Sequence, residues 1–263
     1  MLGAIIGDIV GSRFEWHNIK SKEFDLFTSD CRLTDDSVMT LAVAQALLDC
    51  DHDYRMLSEK AIFAMQTIGR KYPNCGFGGN FLWWVLGDSP EPYNSYGNGA
   101  AMRVSPCAYA ASSLEEVVEL SRKVTEVSHN HPEGIKGAEA TAVATYMART
   151  GRTIPEIKQY INDSYYPMDF TLDGIRASYT FDVSCQGSVP QAIMAFLESD
   201  SFEDAIRNAV SIGGDSDTIA AITGSIAGAF YGVPQHIKLQ AMSYMDKLQV
   251  DILTKFEDFF AIG

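Results

Sequence analysis

Apolar residues recur at helical spacing along most of this 263-residue chain, and strand-like alternation is nearly absent. Side chains three and four positions apart share one face of a helix, so this period predicts α-helices that each bury one stripe. The pattern predicts helices over residues 2–11, 37–49, 57–70, 80–86, 100–111, 114–127, 134–149, 154–162, 190–198, 202–211, 217–231 and 235–248. The chain is therefore expected to be an all-α protein.

Small residues are concentrated in two of these predicted helices, 134–149 and 217–231. Gly224 and Gly228 lie four positions apart in the second one, although glycine inside a helix costs about 0.5–1 kcal/mol relative to alanine. We expect this pair to mark a close helix crossing, because small side chains let two helices approach. The long segments between helices, at about 12–36, 71–80, 87–99 and 163–188, are where a binding site is expected.

The composition indicates one domain over residues 1–263, because 46% of the residues are hydrophobic and no Pro/Ser-rich linker divides the chain. The net charge of −14 disfavours binding along nucleic-acid backbones and implies that an anionic ligand needs a local binding device. Five cysteines without a C-x-x-C motif indicate neither a zinc ribbon nor a disulfide framework. No basic leader and no long uncharged apolar stretch is evident. We therefore expect a cytoplasmic monomer without a membrane span.

Two pairs of acidic residues stand at the starts of apolar helices. Asp215 and Asp217 lie in “GGDSDT”, just before “IAAITGSIAGAF”, and Asp35 and Asp36 lie in “LTDDSV”. An isolated Asp at such a place is most often a helix cap that complements the helix dipole. The second copy of the pattern, far along the chain from the first, favours a shared chemical role for all four acids.

Each acidic pair also has a threonine beside it, Thr34 in one and Thr218 in the other. Carboxylates and hydroxyls are hard oxygen ligands, which suit Mg²⁺, Mn²⁺ or Ca²⁺. Four acids brought together without a cation would repel one another and raise their pKa values, whereas two divalent cations would nearly cancel their charge. The sequence therefore predicts that the two helix starts face each other across a site for paired cations.

Three further segments carry candidate binding or catalytic residues. The Gly/Asn loop before the helix at 100 is either an ordinary turn or an anion site built from backbone N–H groups, and it contains Ser95, Tyr96, Gly97, Asn98 and Gly99. His129 and His131 are two apart, and no third nitrogen or thiolate ligand lies at a suitable spacing, so contact with a bound ligand is favoured over zinc binding, and His129 is the better candidate. Glu15 is by default a surface charge, and only proximity to the other candidates would make it a general base.

Taken together, these segments resemble the ADP-ribosylglycohydrolase family. The matching segments, in the family's order, are “GAIIGDIVGSRFE” (3–15), “LTDDSVMTLA” (33–42), “YGNGAAMRVSP” (96–106), “SHNHPEGIKGAEATA” (128–142) and “GGDSDTIAAITGSIAGAFYG” (213–232). The resemblance implies a compact, single-domain orthogonal helical bundle with a binuclear Mg²⁺ or Mn²⁺ centre in a central cleft that binds ADP-ribose.

The resemblance also implies roles for individual residues. The metal ligands would be Thr34, Asp35, Asp36, Asp215, Asp217 and Thr218. The loop from Ser95 to Gly99 would embrace the diphosphate and the adjacent ribose, and His129 would contact the ligand. Glu15 matches a glutamate that lies in a mobile loop beside the metals in the serine-directed branch of the family.

The implied reaction is hydrolysis of the N- or O-glycosidic bond between ADP-ribose and an acceptor on a protein, with arginine as the favoured acceptor. Such a reaction passes through an oxocarbenium-like state and needs a positioned water and a carboxylate, here Asp36 or Glu15. The alternatives are another ADP-ribose conjugate, either serine-linked or O-acetyl-ADP-ribose, a di-metal phosphoesterase, and a non-catalytic ADP-ribose-binding module.

Overall fold

A computed structural model describes residues 1–262, which fold into fourteen α-helices and two short 3-10 turns, with no β-strand in that range. The α-helices are α1 (Leu2–Gly11), α2 (Asp35–Cys50), α3 (Leu57–Gly69), α4 (Gly79–Leu86), α5 (Ser105–Ala110), α6 (Leu114–Thr125), α7 (Pro132–Arg149), α8 (Ile154–Ser164), α9 (Leu172–Arg176), α10 (Cys185–Leu197), α11 (Phe202–Ser211), α12 (Ser216–Tyr231), α13 (Gln235–Met242) and α14 (Lys247–Phe259). The all-α prediction is confirmed. Across residues 1–262, none of these helices combines the length and apolar character that a bilayer crossing requires.

The predicted helix over 235–248 is wrong at its C-terminal end. α13 stops at Met242, and α14 begins at Lys247. The reason lies in Asp246, whose carboxylate accepts a hydrogen bond from the backbone N–H of Gln249 while the Gln249 side chain accepts one from the backbone N–H of Asp246. This reciprocal capping box starts a new helix in the middle of a continuous apolar pattern.

Two other helix starts differ from the prediction, and two helices were missed, α9 and α14. Residues 98–100 form a 3-10 turn, so α5 begins only at Ser105 and not at residue 100. α10 begins at Cys185 because the Ser184 hydroxyl caps it, and Pro190 lies inside the helix and not at its first turn. The short helix α9 lies in a segment that was predicted as a loop.

The centre of the fold is an antiparallel pair formed by α1 and α12. Every residue of α1 is buried, and its small residues face those of α12, with Gly3 opposite Gly224 and Gly7 opposite Ala220. Gly228 lies next to Gly3 as well, so the predicted close crossing at Gly224 and Gly228 is confirmed. Because the helices run in opposite directions, the C-terminal end of α1 lies beside the N-terminal end of α12.

The segment between α1 and α2 folds back onto the turn that precedes α12. The Asn18 side chain donates a hydrogen bond to the Gly214 carbonyl (2.9 Å) and accepts one from the Gly214 N–H (2.8 Å). The Lys20 ammonium donates to the carbonyls of Tyr179 and Ile212. Gly214 has φ of +80°, a conformation that favours glycine. These bonds hold the segment that carries Glu15 against the start of α12.

Candidate metal centre and ligand cleft

The two acidic motifs meet at the N-terminal ends of α2 and α12. Thr34 caps α2, and Asp36 lies in its first turn, whereas Thr218 belongs to the first turn of α12. The Asp36 Oδ2 atom lies 3.3 Å from the hydroxyl oxygen of Thr34 and 3.3 Å from that of Thr218, which is 182 positions away in the chain. The packing of α1, α2 and α12 thus brings the two predicted motifs together.

Asp215 occupies the cap position of α12, but its side chain does not cap the helix. Its carboxylate accepts a hydrogen bond from the Asn98 side-chain amide (2.7 Å), and that amide also donates to the Ser188 hydroxyl (3.0 Å). Capping therefore does not explain this acid. Through Asn98, the loop of residues 95–99 is attached directly to the acidic cluster.

The carboxylates form two overlapping groups. Ligand oxygens of Asp8, Asp36 and Asp217 lie within 4.8 Å of one another, and so do those of Glu15, Asp215 and Asp217. Asp36 Oδ1 is buried and has no hydrogen-bond partner among residues 1–262. Oxygen donors in this number and at this separation match what hard divalent cations require, and a buried carboxylate oxygen without a hydrogen-bond partner can serve as such a ligand. The residues present therefore fit a metal centre.

Asp8 belongs to this cluster although the sequence analysis did not select it. Its Oδ2 accepts hydrogen bonds from the backbone N–H groups of Thr34 (2.9 Å) and Ser37 (3.1 Å) and from the Ser37 hydroxyl, and its Oδ1 accepts one from the Thr34 hydroxyl (2.7 Å). Because Asp8 takes the Thr34 hydroxyl hydrogen and the Asp36 backbone N–H occupies one lone pair of that oxygen in the helix cap, one lone pair remains for a cation. The sequence did offer one signal for Asp8: it is the one charged residue in an otherwise apolar helix, and a charge in a buried helix usually has a specific role.

Burial and mutual repulsion raise the pKa values of these acids. Burial is the main cause of the strongly raised pKa values of Asp36 and Asp217, and the neighbouring carboxylates add to it. Burial and the charge of Asp8 raise the pKa of Asp35 to about 7. Burial and then Asp215 raise the pKa of Glu15. Bound cations would reverse these shifts, because positive charge favours the ionised carboxylates.

A cleft of about 410 Å³ opens above the acidic cluster. Asp35 faces it and is covered by Gly76, where a Cβ atom would lie 2.7 Å from Asp35 Oδ1. The lining includes four of the five predicted loop residues, Ser95, Gly97, Asn98 and Gly99. The structure does not bring the Tyr96 side chain into the lining, because that ring is half exposed and packs edge-on against His131 with ring centroids 5.2 Å apart.

Of the two histidines, only His129 lies on the cleft. It is 4% exposed, and its Nδ1 atom lies 2.8 Å from the Ser128 hydroxyl oxygen. Burial, and secondly the positive charge of Arg103, lower the pKa of His129 well below its usual range, so the ring is neutral. His131 instead caps α7, since its Nδ1 accepts a hydrogen bond from the backbone N–H of Glu133 (3.1 Å).

Two aromatic residues that the sequence analysis did not select stand at the cleft mouth. Trp16 follows Glu15 and stacks on Phe181, with ring centroids 5.1 Å apart and planes 23° from parallel. Both rings are exposed, Trp16 by 69% and Phe181 by 41%. Exposed, stacked aromatic side chains beside a cleft are suited to planar or cationic groups of a ligand. Nothing in the sequence signals that these two positions, far apart in the chain, would meet.

Known proteins resemble this chain in sequence and in fold. The family model for ADP-ribosylglycohydrolase matches residues 1–258. Human ADP-ribosylhydrolase ARH3 is 27% identical over 331 residues, covering 97% of this chain and 90% of the human protein. The ADP-ribosyl-[dinitrogen reductase] glycohydrolase of Rhodospirillum rubrum is 26% identical over 263 residues, covering 88% of this chain and 84% of that enzyme. A solved structure titled ADP-ribosylglycohydrolase-related protein complex superposes with a TM-score of 0.70 at 21% identity and covers 99% of this chain and 96% of its own, which shows a shared fold. The chain belongs to the ADP-ribosylglycohydrolase family.

Proposed function

We propose that this protein is a hydrolase dependent on two divalent cations, Mg²⁺ or Mn²⁺, that releases ADP-ribose from modified arginine side chains of proteins. ADP-ribose glycohydrolase activity itself follows from the family and from the relatives. The observation that carries the proposal is the meeting of acids from α1, α2 and α12 at the base of one cleft. That meeting also supports treating residues 1–263 as one domain.

The proposed metal ligands are the residues that converge there, namely Thr34, Asp35, Asp36, Asp215, Asp217 and Thr218. Bound cations would supply positive charge that keeps these acids ionised and that polarises the oxygens of the substrate ribose. Asp8 is proposed to orient Thr34, since all its strong hydrogen bonds go to Thr34 and Ser37. The buried Oδ1 of Asp36, which has no hydrogen-bond partner among residues 1–262, supports this ligand set.

The ligand's diphosphate is proposed to lie against the loop of Ser95, Gly97, Asn98 and Gly99, beside His129. All five residues line the cleft. Backbone N–H groups in a Gly/Asn loop bind anions without requiring a positively charged surface, which is consistent with the net charge of −14. The Tyr96 side chain is left out of this proposal because it points away from the lining.

Glu15 is the better of the two candidate bases. Its carboxylate is half-buried at the cleft, whereas Asp36 is enclosed between two threonine hydroxyls. Burial and Asp215 raise the pKa of Glu15 towards the range in which a carboxylate accepts protons effectively. In the proposed step, Glu15 takes a proton from a water whose oxygen bonds to the anomeric carbon, and the C–N bond breaks. The bonding electrons leave with the nitrogen, and a guanidinium group departs as neutral guanidine without needing a further acid.

The aromatic pair at the cleft mouth supports arginine as the acceptor. A guanidinium group is a planar cation, and planar cations stack on tryptophan rings with about 0.5–2 kcal/mol of attraction. Trp16 and Phe181 stand beside Glu15, where the leaving group would exit. A serine hydroxyl or an acetyl group would gain no comparable contact from them.

The proposal is tested with arginine-linked and serine-linked ADP-ribosyl peptides and with O-acetyl-ADP-ribose, each assayed with Mg²⁺, Mn²⁺ or chelator. We expect free ADP-ribose by mass spectrometry, fastest from the arginine peptide and absent in chelator. AMP as the product would indicate a phosphoesterase, ligand binding without turnover would indicate a binding module, and activity in chelator would contradict the metal dependence. Preference for serine or acetyl substrates would overturn the arginine assignment alone.

Trp16→Ala provides a sharper test of the acceptor. We expect its KM for the arginine peptide to rise about tenfold, equivalent to roughly 1.4 kcal/mol, with little change for O-acetyl-ADP-ribose. Trp83→Ala is the matched control, because Trp83 is 79% exposed and does not line the cleft. Equal KM changes for both substrates would mean that Trp16 does not recognise the guanidinium.

A further inference from the structure

Arg103 is a fully buried positive charge in the wall of the cleft. Its exposure is 0%, and it lies over the Phe81 ring with 5.3 Å between the guanidinium carbon and the ring centroid. Among residues 1–262 it forms no ion pair. Burial lowers the pKa of its guanidinium to about 10. A buried cation without a carboxylate partner is costly, so the fold must gain something by holding it there.

Only one end of the guanidinium is occupied by protein acceptors. Nη2 donates to the Val124 carbonyl (3.2 Å) and to the Ser128 hydroxyl oxygen (2.7 Å). Nε and Nη1 have no hydrogen-bond partner among the described residues. Arginine can only donate, so the contact with Ser128 fixes that hydroxyl oxygen as an acceptor.

The orientation of Ser128 then determines the tautomer of His129. Ser128 is fully buried, and the only other partner of its hydroxyl is His129 Nδ1 at 2.8 Å. If Nδ1 carried the proton, Ser128 would accept two hydrogen bonds and its own hydrogen would be buried without a partner, which costs about 1–3 kcal/mol. Donation from Ser128 to Nδ1 satisfies both the Ser128 hydroxyl and Nδ1, so the imidazole proton resides on Nε2.

The Nε2 atom of His129 faces the glycine loop of the cleft. A Cβ atom built on Gly99 would lie 3.3 Å from Nε2, and one built on Gly97 would lie 3.8 Å from it. Nε2 forms no hydrogen bond within residues 1–262, which leaves its N–H available to a ligand. Each group therefore donates a hydrogen bond to the next, Arg103 to Ser128 and Ser128 to His129, and the Nε2–H of His129 points into the cleft as the last donor.

We propose that Arg103 and Ser128 are positioning residues that hold His129 as a neutral imidazole with its proton on Nε2, ready to donate to an oxygen of the bound diphosphate. This inference rests on the proposed function for the identity of the ligand. The tautomer itself is a property of the free protein. The positive charge of Arg103 adds a second effect, because it disfavours a charged imidazole and attracts an anionic group into the adjacent cleft.

The test is a long-range ¹H–¹⁵N spectrum of the full-length protein labelled with ¹⁵N-histidine, recorded at pH 7 without ligand. We expect His129 to show the neutral form protonated at Nε2, and Ser128→Ala to give a mixture of the two tautomers. Ser128→Ala should also weaken ADP-ribose binding about tenfold by calorimetry. Ser121→Ala is the matched control, because Ser121 is equally buried and bonds only to Val118 in its own helix. Arg103→Met, checked for folding by circular dichroism, should give the same mixture of His129 tautomers as Ser128→Ala.

The proposal would be overturned if the His129 ring of the wild-type protein carried its proton on Nδ1. It would also be overturned if the His129 spectrum of Ser128→Ala were identical to that of the wild type. An unchanged ADP-ribose affinity in Ser128→Ala would overturn it as well. Should Arg103→Met fail to fold, Ser128→Ala decides the question alone. If neither wild type nor variant binds ADP-ribose while the tautomer still follows Ser128, the positioning stands and the proposed ligand is what fails.

Discussion

At the scale of single residues, Asp217 is the most informative position for mutation, because it belongs to both groups of converging carboxylates. Its pKa is raised strongly by burial and by the neighbouring acids, so its charge destabilises the metal-free fold. We expect Asp217→Asn to lose more turnover than the roughly 10–100-fold that loss of an outer metal partner costs. The same change should raise the melting temperature in chelator by about 2–4 °C per kcal/mol of relieved repulsion.

These opposite effects are measured by the ADP-ribosyl peptide assay and by thermal unfolding followed with circular dichroism. Asp258→Asn is the matched control, because Asp258 is exposed. This substitution removes the same formal charge at a position away from the cluster. Wild-type activity in Asp217→Asn would remove this residue from the ligand set. A lower melting temperature in chelator would mean that its carboxylate stabilises the fold by a hydrogen bond.

The sequence identified residues whose chemistry is repeated in a short motif, and it missed those that act through tertiary packing. The paired acids with their threonines could be recognised because each motif stands at the start of an apolar helix. Asp8 was missed because one acid in a helix of small residues carries no motif, and its partners lie 26 and 29 positions away. Phe181 could not be placed beside Trp16, since the long segment that carries it has no periodicity to read.

At the scale of elements, the crossing of α1 and α12 determines where the acids meet. A Cβ atom on Gly7 would overlap the backbone oxygen of Ala220, and backbone cannot move aside as a flexible side chain can. We expect Gly7→Ala to lower the free energy of unfolding by about 3 kcal/mol or more, at the upper end of overpacking effects. Because Asp8 and Asp217 belong to these two helices, the variant should also bind Mg²⁺ more weakly by calorimetry.

Gly79→Ala is the control for this helix crossing. Gly79 lies at the start of α4, and a Cβ atom there would meet nothing within 4 Å. Its substitution should change the free energy of unfolding in urea by no more than about 0.5 kcal/mol. If Gly7→Ala proved equally mild, the close approach of α1 and α12 would not be a requirement of the fold.

Helix existence could be predicted from sequence more securely than helix ends, for a physical reason. The apolar period of α13 continues into α14, so the period alone cannot reveal the break that Asp246 and Gln249 impose through side-chain capping. The start of α10 was likewise set by the Ser184 cap and not by Pro190. Ends depend on one or two hydrogen bonds, whereas the body of a helix depends on a repeated apolar face.

At the scale of the whole molecule, the acidic cluster links stability to both pH and cations. The pKa of Asp35 is about 7 in the folded protein and 3.8 when the side chain is fully solvated, so between these values the folded state binds more protons than the unfolded state. The free energy of unfolding of the cation-free protein therefore falls as pH rises through this window. The raised pKa values of Asp36 and Asp217 act in the same direction.

We therefore expect the melting temperature in chelator to fall between pH 5 and pH 8, and Mg²⁺ to raise it more at pH 8, where protons compete less for the carboxylates. A cation present at 100 times its Kd would add about 2.7 kcal/mol. Asp35→Asn should reduce the pH dependence in chelator, whereas Asp258→Asn, which changes the net charge equally from an exposed position, should leave it unchanged. A melting temperature that rises towards pH 8 in chelator, or equal Mg²⁺ effects at both pH values, would mean that the acids do not share a cation site. The two variants separate repulsion within the cluster from the general effect of the acidic surface, because only Asp35 faces the other carboxylates.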